Sequence, residues 1–130
     1  MTKTIRARFD VLAWDEAEPA ADRTATPATV RKSYRDGLVG TSTVSMLMTR
    51  NETGAAYTAI ERLEGTLGDR AGELCLVHGG IHGDEGDVPF GYVVPGSGTG
   101  GFAGVTGTLV FGHDEEGGFA EFDLVFPSSG

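Results

Sequence analysis

Cysteine occurs once in these 130 residues, so no disulfide can form within the chain. Cys75 sits in Leu74-Cys75-Leu76-Val77, a setting for a small buried hydrophobe more than for a reactive thiol. Apolar runs are short. None approaches the ~20 residues of a membrane-spanning helix. Behind Met1-Thr2-Lys3-Thr4-Ile5-Arg6 there is no apolar signal segment, so the cytoplasm is the expected location. Positive charge is also scarce. Lys3 and Lys32 are the only lysines, arginine supplies the other eight basic residues, and the formal net charge is −9. Nucleic acid and anionic membrane both demand a cationic face, and neither is expected as a partner.

What the sequence has instead is glycine, 21 residues, about twice the ordinary ~7% usage. The glycines fall singly or in pairs between short apolar stretches, as turn residues of an all-β protein do. The segment from Thr4 to Trp14 alternates Ile5, Ala7, Phe9 and Val11 against Arg6, Arg8 and Asp10, the period-two signature of a half-buried strand. Asp15 to Ala28 reads as a loop. Further strands are expected over Thr29–Arg35, Gly40–Arg50, Ala55–Leu63, Glu73–His82, Val88–Val94, Thr106–His113 and Gly118–Phe126. Eight strands with short connections in one 130-residue domain predict an antiparallel sandwich or an up-and-down barrel. A barrel of eight leaves room for packed side chains or one small ligand. Several strands are apolar on both faces. That pattern fits a lined interior plus an outer apolar surface that another subunit could cover, giving a homo-oligomer, dimer or higher.

The chemical motifs divide sharply in value. Gly96-Ser97-Gly98-Thr99-Gly100-Gly101 matches the spacing of a dinucleotide loop. Phe102-Ala103-Gly104-Val105 after it is poor helix material, so a wide turn is the better reading. His78 and His82 lie four apart on a strand, which separates their Cα atoms by roughly 13 Å, too far for one metal. Asp84, Glu85 and Asp87 lack the alternating oxygens of a calcium loop. No serine sits in a G-x-S-x-G elbow. Neither a metal nor another cofactor is therefore expected.

Glu61 and His78 are the more informative pair. Each lies mid-strand on the face of apolar neighbours, Ala59 and Leu63 for one, Leu74 and Leu76 for the other. If that face is the interior, both are buried polar groups that must be paired or shifted in pKa. They are either a structural pair or a pocket acid and base. Trp14, Tyr57 and Tyr92 are core aromatics or cavity wall. Leu76 shares the face of His78 and completes the expected wall.

The residues also carry a resemblance. Trp14-Asp15, Glu61-Arg62, Gly65-Thr66-Leu67, His78-x-Gly80 and Val93-Val94-Pro95-Gly96-Ser97-Gly98-Thr99-Gly100 fall in the order seen in a group of small bacterial proteins. That group is classed as a domain of unknown function, with a fold similar to the allene oxide cyclase barrel. The resemblance implies a calycin-like, eight-stranded antiparallel barrel, often oligomeric. It puts Glu61 and His78 on motif positions facing the lumen. Ser45 stands where many members are expected to carry glutamate, which makes it a candidate substrate contact. The expected function is a cofactor-independent cyclase or isomerase. It would hold a small hydrophobic molecule in the lumen, with Glu61 stabilising developing charge and His78 moving a proton. The alternative is a non-catalytic barrel that binds such a molecule.

Overall fold

The computed structural model describes residues 1–18 and 24–128. Its strands are β1 Thr2–Glu16, β2 Thr26–Arg35, β3 Val39–Arg50, β4 Ala55–Leu67, β5 Arg70–Gly83, β6 Gly86–Val93, β7 Thr106–Asp114 and β8 Gly117–Val125. They pair antiparallel in chain order, and β8 closes onto β1, so the sheet is an eight-stranded barrel. The region read as a loop over Asp15–Ala28 is shorter than expected. β1 runs on to Glu16 and β2 begins at Thr26, while residues 19–23 lie outside the described residues.

Strand β1 holds the closure together by pairing twice. Its first half runs along β8 from Thr2↔Val125 to Phe9↔Gly118, and its second half along β2 from Arg8↔Arg35 to Glu16↔Ala28. Between Val11 and Ala13 the register with β2 slips, leaving Leu12 as a β-bulge. An extra residue inverts which side chains point inward beyond it. Up to Val11 the odd-numbered residues face the lumen. Past the bulge the even-numbered Trp14 and Glu16 join the cavity wall.

The barrel is filled at one end and hollow at the other. Tyr34, Leu38, Leu63, Leu74, Leu76, Phe122 and their neighbours pack the first half into a dry core. The glycine tract closes that end. Val94 donates to the Cys75 carbonyl, Thr99 N–H to the Glu73 carbonyl, and the Ser97 and Thr99 side chains accept from Cys75 and Glu73 N–H. The tract therefore runs along β5 and ends in a single 3-10 turn, Gly100–Phe102, whose Phe102 ring is buried in the core. A Cβ on Gly72 would lie 2.0 Å from the Thr99 carbonyl oxygen, so only glycine allows this approach. The glycines serve chain closure and face no helix, which removes the dinucleotide reading.

Candidate functional site

The hollow end is a cavity of about 850 Å³, open at the mouth. Its walls are largely apolar: Phe9, Val30, Val44, Met46, Tyr57 and Phe111. Two polar side chains reach its floor, Lys32 from β2 and His78 from β5. Trp14, Glu16, Arg50, His82 and Asp87 also line it. Trp14 Nε1–H donates to Glu16 Oε1 at 3.1 Å, and His82 pairs with Asp87.

Under the floor lies Glu61. Its position on β4 sets it diagonal to Ser42 on β3 and to His78 on β5, because Ser42 is opposite Leu63 and Ala59 is opposite His78. The small Ala59 leaves the His78 imidazole space to turn toward Glu61. Four donors meet the carboxylate. Oε1 accepts from Lys32 Nζ at 3.2 Å and His78 Nε2 at 2.8 Å. Oε2 accepts from the Tyr34 hydroxyl at 2.6 Å and the Ser42 hydroxyl at 2.7 Å. Glu61 has no exposed surface. Burial alone would raise its pKa. The His78 hydrogen bond, the Lys32 charge and the two hydroxyls outweigh burial and bring it from 4.5 to about 2. Glu61 is therefore an anion at neutral pH, neutralised by Lys32.

A fixed carboxylate dictates the state of its neighbours. In the tautomer that donates Nε2–H to Glu61, His78 presents Nδ1 as an acceptor, and the Tyr57 hydroxyl lies 3.2 Å from it. The result is a chain Tyr57 Oη–H···Nδ1 His78 Nε2–H···Oε1 Glu61 whose cavity end is Tyr57. Burial, then the Glu61 charge, raises the Tyr57 pKa, so the phenol stays protonated. Lys32 is held differently. Its Nζ lies 4.4 Å from the Phe9 ring centroid and 4.2 Å from that of Phe111, an aromatic cage around a cation. Burial lowers its pKa, opposed by Glu61.

Several expected site residues stand elsewhere. Glu61 does not line the cavity; Lys32 and His78, which bond to it, stand between it and the lumen. Leu76 faces inward but lies in the packed half, too deep to meet a ligand. Ser45 and Tyr92 point outward: Ser45 is exposed between Thr43 and Leu47, and Tyr92 is 53% exposed beside Phe90. Both are corrected from wall to outer surface. Trp14, Tyr57 and His78 line the cavity. Neither Lys32 nor Phe111 is among the expected site residues, although Lys32 alternates with Val30 and Tyr34 and is one of two lysines. Among the described residues no group of three or more His, Cys, Asp or Glu side chains gathers as metal ligands would.

Comparison with known proteins supplies a family and no activity. The family described as protein of unknown function (DUF3224) matches residues 5–126. A crystal structure of a protein with unknown function from that family, from Shewanella oneidensis MR-1, is similar at 27% identity and a TM-score of 0.87. The alignment covers 99% of this chain and 100% of that one. No curated protein matches.

Proposed function

The chain belongs to the DUF3224 family, and from that premise and the geometry of its lumen we propose a cofactor-independent isomerase or cyclase acting on a small, mostly apolar molecule. The observation that carries the reading is the Tyr57–His78–Glu61 chain opening into an otherwise apolar cavity. Tyr57 Oη takes a proton from a substrate carbon while its own proton passes to His78 Nδ1. The reverse transfer returns a proton at a second carbon, so a double bond moves or a ring closes with no net change in composition. Glu61 stabilises the imidazolium formed midway and is a positioning residue. The apolar wall holds the substrate in one folded shape. A specific observation favours the simpler alternative of a binding barrel: the Glu61 charge is already neutralised by Lys32, so it is not free to stabilise charge that develops on a substrate.

The first test uses the single tryptophan, which lies at the cavity wall and is 52% exposed. An apolar ketone entering the lumen is expected to change Trp14 fluorescence saturably. Incubation of β,γ-unsaturated ketones in deuterated water should then incorporate deuterium, read by mass spectrometry. Tyr57→Phe should slow that incorporation at least ~100-fold while leaving the Trp14 titration within about twofold. Saturable binding with no exchange in the wild type would leave the binding barrel as the function.

The same reading includes a second copy of this chain. The outer faces of β3 to β7 carry Leu47, Ile60, Ile81, Val88, Phe90, Tyr92 and Val110, each at least 40% exposed. Ile60, Val77 and Tyr92 are aligned across three strands by register. An uncharged face on a chain of net charge −9 suits contact with its own kind, where charged faces would repel. A cytoplasmic location agrees with a lone cysteine that forms no disulfide.

A further inference from the structure

Lys32 has a chemical use that the proton relay leaves untouched. A lysine is an uncommon choice for the floor of an apolar cavity, because an ammonium must be desolvated there. Here it is kept by an anion on one side and two aromatic faces on the others. We infer that the ligand is an apolar aldehyde or ketone, and that Lys32 Nζ condenses with its carbonyl carbon to form an imine. The inference rests on the proposed lumen site and narrows its substrate to a carbonyl compound.

Three features of the floor suit the reaction. Lys32 lines the cavity together with Phe9 and Phe111, so a carbonyl reaching the floor beside those rings meets Nζ. Lys32 Nζ and His78 Nε2 both bond the same oxygen, Glu61 Oε1, which sets the amine beside a proton-carrying imidazole. Burial also disfavours the ammonium, easing release of the free amine. The atoms balance simply. Nζ gives a proton to the Glu61–His78 pair and attacks the carbonyl carbon, forming a carbinolamine. One proton passes from the attacking nitrogen to the oxygen, the Glu61–His78 pair returns the proton it took, and the oxygen leaves as water, so a protonated imine remains. That imine carries the same single positive charge as the ammonium it replaces. Glu61 and the two rings therefore hold it without rearrangement, whereas a neutral adduct would leave Glu61 unpaired. An iminium also draws electrons from the adjacent carbon and acidifies its C–H bond, which is the proton that Tyr57 and His78 are placed to move.

Lysine scarcity makes the test clean, since the only other amines are Lys3 and the N-terminus. Wild-type protein is incubated with decanal and sodium cyanoborohydride at neutral pH, then analysed by intact mass and peptide mapping. One decyl adduct on Lys32 is expected, with at least ~10-fold less on exposed Lys3. It should be lost in Lys32→Arg and suppressed by excess decan-1-ol, which occupies the lumen but cannot condense. Labelling confined to Lys3 or Met1 would overturn the inference. If decanal and decanol both shift Trp14 fluorescence and no Lys32 adduct forms, imine chemistry is refuted and the lumen site stands. If neither shifts Trp14 and no adduct forms, both readings fall together.

Discussion

Glu61→Ala is expected to destabilise the barrel by about 3–5 kcal/mol, the cost of leaving a buried ion without its partner. The substitution strands the Lys32 ammonium and removes the acceptor of the Tyr34 and Ser42 hydroxyls and of the His78 imidazole. Glu61→Gln should cost less, about 1–3 kcal/mol. Its amide oxygen can still accept from Lys32 and His78, and its NH2 can donate to two hydroxyls that rotate to receive it. Urea unfolding of the three proteins distinguishes this order from equal losses, which would mean that the four contacts are dispensable. Acid gives an independent reading. A carboxyl held at about 2 in the folded state and near 4.5 unfolded contributes stability that is full above pH 4.5. The contribution disappears as pH falls from there through about 2, and amounts to about 3 kcal/mol. Glu61→Gln should therefore narrow its deficit against wild type as pH drops through that window. Asp114 is also held at about 2, chiefly by its hydrogen bonds from Arg8, and titrates in the same range. Because both proteins retain it, it cancels in the difference.

How much of this was legible beforehand follows from what period two can and cannot encode. Alternation of Ile5, Ala7 and Phe9 against Arg6 and Arg8 identifies a strand and its inner face, and the glycine turns separate eight such strands. The same alternation already put Tyr92 with Val88 and Phe90, and Ser45 with Thr43 and Leu47. Aromatic character and family resemblance outweighed it, and both side chains point outward. Leu76 failed for another reason. It shares a face with His78, but face says nothing of depth along the barrel. One pleat separates a packed interior from a hollow one, and closure of the far end by Phe102 decides which is which. Trp14 reaches the cavity only through the bulge at Leu12, and no residue type there announces it. Lys32 was legible: a lysine between Val30 and Tyr34 on an inward face needs a buried anion, and Glu61 was the carboxylate available.

In solution the wild-type protein is expected to sediment as a dimer, and Tyr92→Arg as a monomer. Five strands at ~4.8 Å spacing and three outward rows at ~6.8 Å give the apolar face of β3 to β7 a footprint on the order of 500 Å². A stable interface needs about 800 Å² per partner, so the face supplies an apolar centre and a polar rim must supply the rest. The dimer expected here needs a self-complementary rim, and Arg62 with Glu52 would supply one. Gly79 marks the middle of the face, where Phe90 is its cross-strand partner. A two-fold axis lying in the interface and crossing the strands at Gly79 carries Arg62 of one copy onto the Asn51–Gly54 loop of the other, which holds Glu52. Arg62 is free to serve there, because its side chain is 75% exposed and its ion pair with Glu73 is 4.0 Å long. Arg at position 92 would put two desolvated cations near the axis, weakening association by at least ~100-fold. The barrel itself should survive, because Tyr92 projects outward and leaves the core intact. The charge pair can be tested separately. Arg62→Glu should weaken the dimer, and adding Glu52→Arg should restore most of the loss, which no packing defect would do. A wild-type protein that sediments as a monomer at micromolar concentration would leave this face for a different partner. A dimer indifferent to all three substitutions would place the interface elsewhere on the barrel.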